Sequence, residues 1–173
     1  MTKLYLVVIL LIMQIVPVFA SQEAELTNEV TVLEWLDLIP KNERNRFKEL
    51  STQSIDHTSN AAKQLVAGGV RPELNGRHIK IAGFVIPLEG DNDVLTDFLL
   101  VPFYGACIHV PPPPLNQIIY VRFENGASAP VQELWDIVYI TGILKAETLI
   151  TYDLDVESGY SMKGIVLEVY NDI

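Results

Sequence analysis

The sequence has little cysteine and little positive charge. Cys107 is the only cysteine among 173 residues, which excludes an intramolecular disulfide. Lys and Arg number 12 against 22 Asp and Glu, for a formal net charge of −10. This balance disfavours nucleic acids and anionic membrane surfaces as partners, because both attract basic patches. The sequence also lacks HExxH and CxxC motifs, a glycine-rich phosphate loop and internal repeats, so it carries no familiar catalytic signature.

The first twenty residues have the pattern of an export signal. Lys3 supplies a short positive region, residues 4–15 form an apolar stretch, and residues 18–20 provide a small-residue cleavage site. This pattern predicts a signal peptide over residues 1–20 and a mature protein in the periplasm of a Gram-negative type envelope. Cleavage near Ser21 would leave no stable membrane insertion, whereas an uncleaved signal would act as an anchor.

Residues 21–70 are predicted to form an N-terminal arm that is partly helical or flexible. Thr31 and Glu34 have the spacing of a capping box, which predicts a short helix ending before Pro40. Trp35 and its apolar neighbours would give this helix an apolar face. That face either packs on the main domain or docks a partner.

Residues 71–173 are predicted to form one mainly β domain. Residues 79–85 and 138–144 each carry a glycine within a branched, apolar run, which favours strands that bend into a barrel. Further strands are predicted at residues 97–104, 106–110, 117–123 and 162–170. A short helix is predicted from Ser128 to Trp135, before the second glycine-containing strand. This order predicts a small, closed OB-type β-barrel with a short helix, preceded by the partly helical arm.

The most distinctive stretch is Cys107 and His109 followed by a proline run. On an extended strand, side chains two positions apart point to the same face, so the thiol and the imidazole would lie side by side. The strand must then give way to a stiff polyproline II rod, made by Pro111, Pro112, Pro113 and Pro114. Cys107 is a metal ligand, a small buried apolar residue, or a thiol that pairs with another chain.

A thiolate and a neutral imidazole are ligands that zinc and copper(I) prefer. Two ligands leave a metal site incomplete, so a third is expected from His78, Glu89 or Met162, with Asp97 and Tyr160 as further donors. His78 or Glu89 would favour zinc, whereas the thioether of Met162 would favour copper(I).

Two other functions compete with metal binding. A metal-free docking module would bind a partner protein through Trp35, Tyr104 and the polyproline rod. A thiol-dependent enzyme would use Cys107 as the nucleophile and His109 as the base. Side chains on one strand point in parallel rather than toward each other, which disfavours catalysis.

Three segments resemble an exported bacterial family known as domain of unknown function 3299. They are residues 83–89 (GFVIPLE), 97–114 (DFLLVPFYGACIHVPPPP) and 116–118 (NQI), with weaker support from residues 35–40 and 159–162. Leu115 replaces another proline of the family pattern, and residues 136–137 replace a proline-aromatic pair. The resemblance implies gene clusters that pair a transporter of the lipoprotein-release type with a His-rich, zinc-binding periplasmic protein. It therefore implies an exported accessory protein in metal homeostasis, with a transporter component or a metal carrier as its partner.

Overall fold

The computed structural model describes residues 29–45, 64, 68–91, 94–106, 112–128 and 137–170. The strands of this part, numbered β1 to β8 in chain order, are Thr31–Val32, His78–Asp91, Val94–Val101, Ile119–Ser128, Ile137–Lys145, Leu149–Thr151, Val156–Ser158 and Tyr160–Val169. Short 3-10 helices lie at Trp35–Leu38, Pro72–Leu74 and Leu115–Gln117. The predicted signal peptide lies outside the described residues, as does residue 129 onward of the predicted short helix.

Five strands close into a barrel. Antiparallel pairs join β2 to β3, β3 to β4, β8 to β5 and β5 back to β2. The pair between β4 and β8 is parallel. A five-stranded barrel in the order β2-β3-β4-β8-β5, with one parallel contact, has OB-type topology. The predicted small OB-type β-barrel is therefore confirmed.

The barrel closes because β2 is shared between two neighbours. Its first half pairs with β5 and its second half with β3, and Phe84 pairs with both. Gly83 lies directly before this changeover, where an added Cβ would be 2.7 Å from the Leu100 side chain and 2.9 Å from Trp35. The second predicted bend contains Gly142, where the pairing of β5 with β8 shifts register. An added Cβ there would collide with the Lys163 carbonyl oxygen, so the close approach of the strands requires glycine.

The barrel interior is filled by side chains at alternating strand positions, as a pleated strand with one buried face requires. The main buried members are Ile79, Ile81, Val85, Phe98, Leu100, Ile119, Val121, Val138, Ile140, Leu144, Tyr160 and Met162. Strands predicted at residues 79–85, 138–144 and 162–170 are confirmed as parts of β2, β5 and β8.

Two strand predictions differ from the structure at their ends. The strand predicted at residues 97–104 ends at Val101, because Pro102 has no backbone donor to continue the pairing. The strand predicted at residues 117–123 begins two positions later, since Leu115–Gln117 forms a 3-10 helix. Of the strand predicted at residues 106–110, only Ala106 lies within the described part, where it forms an isolated bridge.

The predicted capping box is wrong in its position. Thr31 is not a helix cap: it lies with Val32 in β1, which pairs in parallel with β2. Both residues are β-branched, and the exposed edge of β2 offers backbone partners that a local helix start cannot match. The helix starts three residues later, and the backbone N–H of Glu34 donates to the Asp37 carboxylate at 3.1 Å.

The described part of the predicted arm packs against the barrel. The Leu33 N–H donates to the Lys80 carbonyl at 2.9 Å, and the Trp35 indole N–H donates to the Ala82 carbonyl at 2.7 Å. Both acceptors belong to β2, and both apolar side chains pack against the barrel core. The apolar face of this helix therefore covers the main domain.

The end of the same segment is anchored by Tyr160, a fully buried residue of β8. Its hydroxyl donates to the Leu38 carbonyl at 2.7 Å and accepts from the Arg71 N–H at 2.6 Å. Burial raises the pKa of Tyr160 above its usual value. Leu38 and Ile39 are themselves fully buried. The domain boundary at residue 70 stays a prediction, but the described arm shares the core of the barrel.

Candidate functional site

The outer surface of β2, β3 and β4 carries a second apolar cluster. Ile86 on β2 lies opposite Leu99 on β3, which in turn lies opposite Tyr120 on β4. These side chains alternate with those of the barrel core, so they point outward. The buried members of this outer cluster are Ile86, Leu99, Val101, Ala106, Ile118 and Val156, with Phe84, Leu88, Tyr120 and Leu154 packed against them.

Two connecting segments cover part of this surface. Ala106 belongs to the segment between β3 and β4, and Leu154 and Val156 belong to the hairpin of β6 and β7. In OB-type barrels the same face, with the loops beside it, binds oligonucleotides and oligosaccharides. Here the centre of that face is closed by the chain itself, which leaves its rim for contacts with other molecules. We call this surface, with Leu88 and Glu89 near the end of β2 and the β6–β7 hairpin, the outer face.

A polar network lies at one end of the outer face. The Asp97 side chain is 7% exposed, and one of its carboxylate oxygens accepts from the Tyr120 hydroxyl at 2.5 Å and from Arg122 Nε at 2.6 Å. Arg122 Nη2 also donates to the Tyr120 hydroxyl at 2.9 Å. The Arg122 side chain is 61% exposed, whereas its partner carboxylate is almost fully buried.

The network keeps Asp97 ionised. Burial alone would raise the pKa of this carboxyl, but hydrogen bonds from Tyr120 and Arg122 outweigh it, and the pKa lies below its usual value. Burial raises the pKa of Tyr120, and the neighbouring carboxylate raises it further. The hydrogen bond to Asp97 raises the pKa of Arg122. The network therefore stabilises the charged forms of Asp97 and Arg122.

Aromatic side chains lie at the other end of the outer face. Tyr104 is 63% exposed, and its ring stands edge-on against Phe84 at a centroid distance of 6.2 Å. Phe103 beside it is 42% exposed. Both follow Pro102, which turns the chain out of β3 and towards the segment that contains Cys107.

Cys107 and His109 lie outside the described residues, as does Pro111. The chain is fixed on both sides of them: Ala106 is fully buried in the outer cluster, and Pro113 is buried beside the β6–β7 hairpin. The Gln64 side chain donates to the Pro113 carbonyl at 3.1 Å and to the Glu157 carbonyl at 2.6 Å. Its amide oxygen also accepts from the Glu157 N–H at 2.7 Å.

The remaining candidate metal ligands lie in different parts of the barrel wall. His78 begins β2 opposite Ile143, and Glu89 lies near the other end of the same strand opposite Asp97. Met162 is buried in the barrel core. Within the described residues, no three His, Cys, Asp or Glu side chains are grouped as a metal site would need. His78 and Glu89 thus lie at opposite ends of one strand and Met162 lies inside the barrel, so these three side chains are not grouped in one place.

Two further donors named from the sequence have other roles. Asp97 is paired with Arg122, and the Tyr160 hydroxyl bonds to backbone groups of the N-terminal segment. The sequence interpretation missed Tyr120 and Arg122 altogether. Their spacing of two on one strand places both on the outer face, and a charged residue there signals a partner for the carboxylate of Asp97 on the neighbouring strand.

The candidate partner-binding residues divide between packed and exposed positions. Trp35 is packed on β2, with its indole N–H bonded to the Ala82 carbonyl. Tyr104 is largely exposed. Pro112, Pro113 and Pro114 precede the 3-10 helix at residues 115–117, and Pro113 is buried. Of these residues, Tyr104 is the one whose side chain offers most of its surface to another molecule.

Fold and site together define an OB-type barrel whose usual ligand face is partly closed by its own connecting segments. The family model described as "Protein of unknown function (DUF3299)" matches residues 35–169. The chain belongs to the DUF3299 family, as its motifs indicated.

One solved relative supports this assignment over most of the chain. A DUF3299 family protein from Pseudomonas aeruginosa PAO1, with a crystal structure at 2.45 Å resolution, is 30% identical, with a TM-score of 0.63. The match covers 84% of this chain and 99% of the relative.

More distant likeness extends to two OBodies bound to hen egg-white lysozyme, at 21% and 20% identity with TM-scores of 0.37 and 0.32. Each covers 59% of this chain, and 89% and 88% of the OBody chains are matched. These values are too low to bear on function. Among curated proteins, no match was found. In the described part of the chain, no helix is long and apolar enough to cross a membrane.

Proposed function

We propose that this chain is an exported, periplasmic accessory protein that binds one zinc or copper(I) ion through Cys107 and His109. It would work in metal homeostasis with a transporter component or a metal carrier. The ligand types and their spacing of two support metal binding, since an exported protein must keep a lone thiol from oxidation. Metal ligation protects a thiolate in this way.

The anchoring of the chain on both sides of these ligands is the observation that carries the proposal. Ala106 is held in the outer cluster, and Pro113 is held by Gln64 at 3.1 Å. The segment that contains Cys107 and His109 is therefore short, and the residues on either side of it, Ala106 and Pro113, are anchored. A short segment with fixed ends loses less conformational entropy when its side chains bind an ion than a free loop would.

The composition of the site favours transfer of the ion over permanent storage. His78 and Glu89 lie at opposite ends of β2 and Met162 lies in the core, so the proposed site takes at most one of the three as a further ligand. A site with two or three protein ligands keeps an open position, which a ligand from a partner can occupy. This agrees with a role as an accessory to a transporter or carrier.

The test is metal content and metal-dependent stability of the mature protein. We expect about one zinc or copper(I) ion per chain by native mass spectrometry, lost after treatment with a chelator. Metal at a hundredfold excess over its dissociation constant should stabilise the fold by about 2.7 kcal/mol. Cys107→Ser and His109→Ala should each abolish this gain, and bound metal should protect the thiol from alkylation.

His57→Ala is the matched control, because no other candidate ligand has ligand spacing from His57, and it should leave metal binding unchanged. His78→Ala, Glu89→Gln and Met162→Leu then identify a third ligand. A metal-free wild-type protein that gains no thermal stability from zinc or copper(I) would refute the proposal and leave Cys107 as a buried apolar residue. Mass spectrometry of the periplasmic form tests export, which predicts an N-terminus near Ser21.

A metal-free docking module is the second candidate. The exposure of Tyr104 and Phe103, at 63% and 42%, favours it, since aromatic rings at a surface are preferred contact residues. Trp35 is already packed on the barrel, so Tyr104→Ala is the informative variant for capture of a partner from periplasm or inner membrane. Equal recovery of every partner with Tyr104→Ala and wild type would remove this residue from the docking surface.

A further inference from the structure

The segments that build the outer face are depleted of positive charge. From residue 81 to residue 121 the sequence has no lysine or arginine, but it has four acidic residues. The connection from residue 146 to residue 159, which contains the β6–β7 hairpin, also has four acidic residues and no lysine or arginine. Arg122, just after the first stretch, is committed to Asp97 at 2.6 Å.

The fold brings described parts of these two acidic stretches to the same surface. Leu88, just before the β2–β3 turn, packs in the outer cluster together with Leu154 of the hairpin. Glu89, Asp153 and Asp155 are exposed beside them. Within the described part of the chain none of these three carboxylates forms an ion pair, so their charge is available to a partner.

Exposed aromatic rings lie at the other end of the same face. The Tyr104 ring is steadied by its edge-on contact with Phe84, whose own side chain packs in the outer cluster. Aromatic ring faces attract ammonium and guanidinium groups, and carboxylates pair with them. Apolar surface beside both groups suits the aliphatic stems of lysine and arginine.

We propose that the outer face is a docking surface for a lysine- and arginine-rich segment of a partner protein. The charge complementarity selects the partner class: the face that binds oligonucleotides in other OB-type barrels is here acidic, so it repels phosphate and attracts cations. The inference names the partner chemistry of the proposed accessory protein. It does not depend on metal at Cys107.

The first test is a titration of the ¹⁵N-labelled mature protein with a soluble peptide of alternating lysine and alanine. A peptide of the same length with glutamate in place of lysine is the control probe. We expect NMR shifts confined to residues near Tyr104, Glu89 and the β6–β7 hairpin, weakening as salt is raised. A single-stranded DNA oligonucleotide should not bind.

Matched variants separate a specific surface from general acidity. Asp153→Asn with Asp155→Asn should weaken the lysine peptide about fivefold, and Tyr104→Ala about two- to fivefold. Asn suits position 155 because Asp155 has a positive φ of 51°, which asparagine also tolerates. Glu168→Gln is the control, since Glu168 lies elsewhere on the barrel and pairs with Lys80.

Three outcomes would overturn the inference. They are shifts spread evenly over the acidic surface, equal weakening by Glu168→Gln, and no binding of the lysine peptide at low salt. Repeating the titration with Cys107→Ser in the presence of a chelator separates this result from the metal proposal. Unchanged affinity is expected there, and loss of binding would show that the docking surface is not independent of metal.

Discussion

Asp97 is the one charged side chain that is buried in the described part of the chain. A carboxylate almost removed from water is stable only if donors replace its hydration. Tyr120 and Arg122 supply these donors within 2.6 Å. The exposure of Arg122 means that only one member of the ion pair loses most of its hydration. This asymmetry decides which substitution in the network costs more.

Asp97→Asn should lower the free energy of unfolding by about 1.5–3 kcal/mol at pH 7, the usual range for hydrogen bonds to a charged group. Because the native pKa of Asp97 is lowered, its stabilisation is complete above the unfolded-state pKa of about 3.9 and is lost as pH falls through the native value. The difference between wild type and Asp97→Asn should therefore be constant above about pH 5 and shrink below about pH 4. Urea unfolding at several pH values measures it.

The partner substitution provides the control for this prediction. Arg122→Leu should cost at least as much at pH 7 as Asp97→Asn, because it leaves a buried carboxylate without its cation, whereas the arginine left by Asp97→Asn is exposed to water. A difference between wild type and Asp97→Asn that does not change between pH 7 and pH 3 would contradict a lowered native pKa.

Among the elements, β1 and the 3-10 helix after it make more contacts with the barrel than their short length suggests. β1 has two residues, yet it pairs with β2 and leads into a helix whose Leu38 is fully buried in the barrel core. Trp35 packs above Gly83, where the absence of a side chain leaves room for the ring. This segment therefore covers one side of the barrel and extends its hydrophobic core.

Leu38→Ala should destabilise the protein by about 2–5 kcal/mol, the range for truncating a buried leucine. Val32→Ala, one element earlier, should change stability by less than about 0.5 kcal/mol, because Val32 is exposed. Thermal and urea unfolding of both variants measure the comparison. Equal, small effects of the two substitutions would mean that the segment does not contribute to the stability of the core.

At the scale of the whole molecule, the barrel has a core inside and a second, smaller cluster outside. The inner core unites all five barrel strands with Leu38, and the outer cluster unites β2, β3 and β4 with the connecting segments. The connections between strands are thus part of the packed structure. The N-terminal segment and these connections should unfold together with the barrel rather than separately.

A chain that begins at Val70 should be markedly less stable than one that begins near Ser21. Burial of Leu38 and Ile39 alone contributes about 1.5–3 kcal/mol each, against a total of about 5–15 kcal/mol for a typical domain. Circular dichroism and thermal melting of both chains measure the loss. A Val70 chain with an unchanged melting temperature would show that residues 21–69 form a separable arm, as the composition of the sequence first indicated.

The sequence predicted the elements whose signals are local. Glycine within two apolar runs indicated the bent strands that hold Gly83 and Gly142, and the order of strands indicated the OB-type barrel. The end of β3 was predicted three residues too late, because the strand predicted at residues 97–104 ran past Pro102. The predicted capping box failed because the pairing of Thr31 with the edge of β2 is a long-range contact that no local spacing reports.

The sequence by itself determined the type of barrel and the family of this protein. It did so through the strand pattern, the glycine positions and the central motif, which are features of residues close together along the chain. Only the tertiary structure decided the rest. In the tertiary structure Trp35 packs on the barrel, and Asp97 pairs with Arg122. Met162, a candidate metal ligand from the sequence, lies in the barrel core. The physical reason is the same in each case: the partner of a side chain on a strand lies on a neighbouring strand or segment, tens of residues away, and the register that joins them is set by packing.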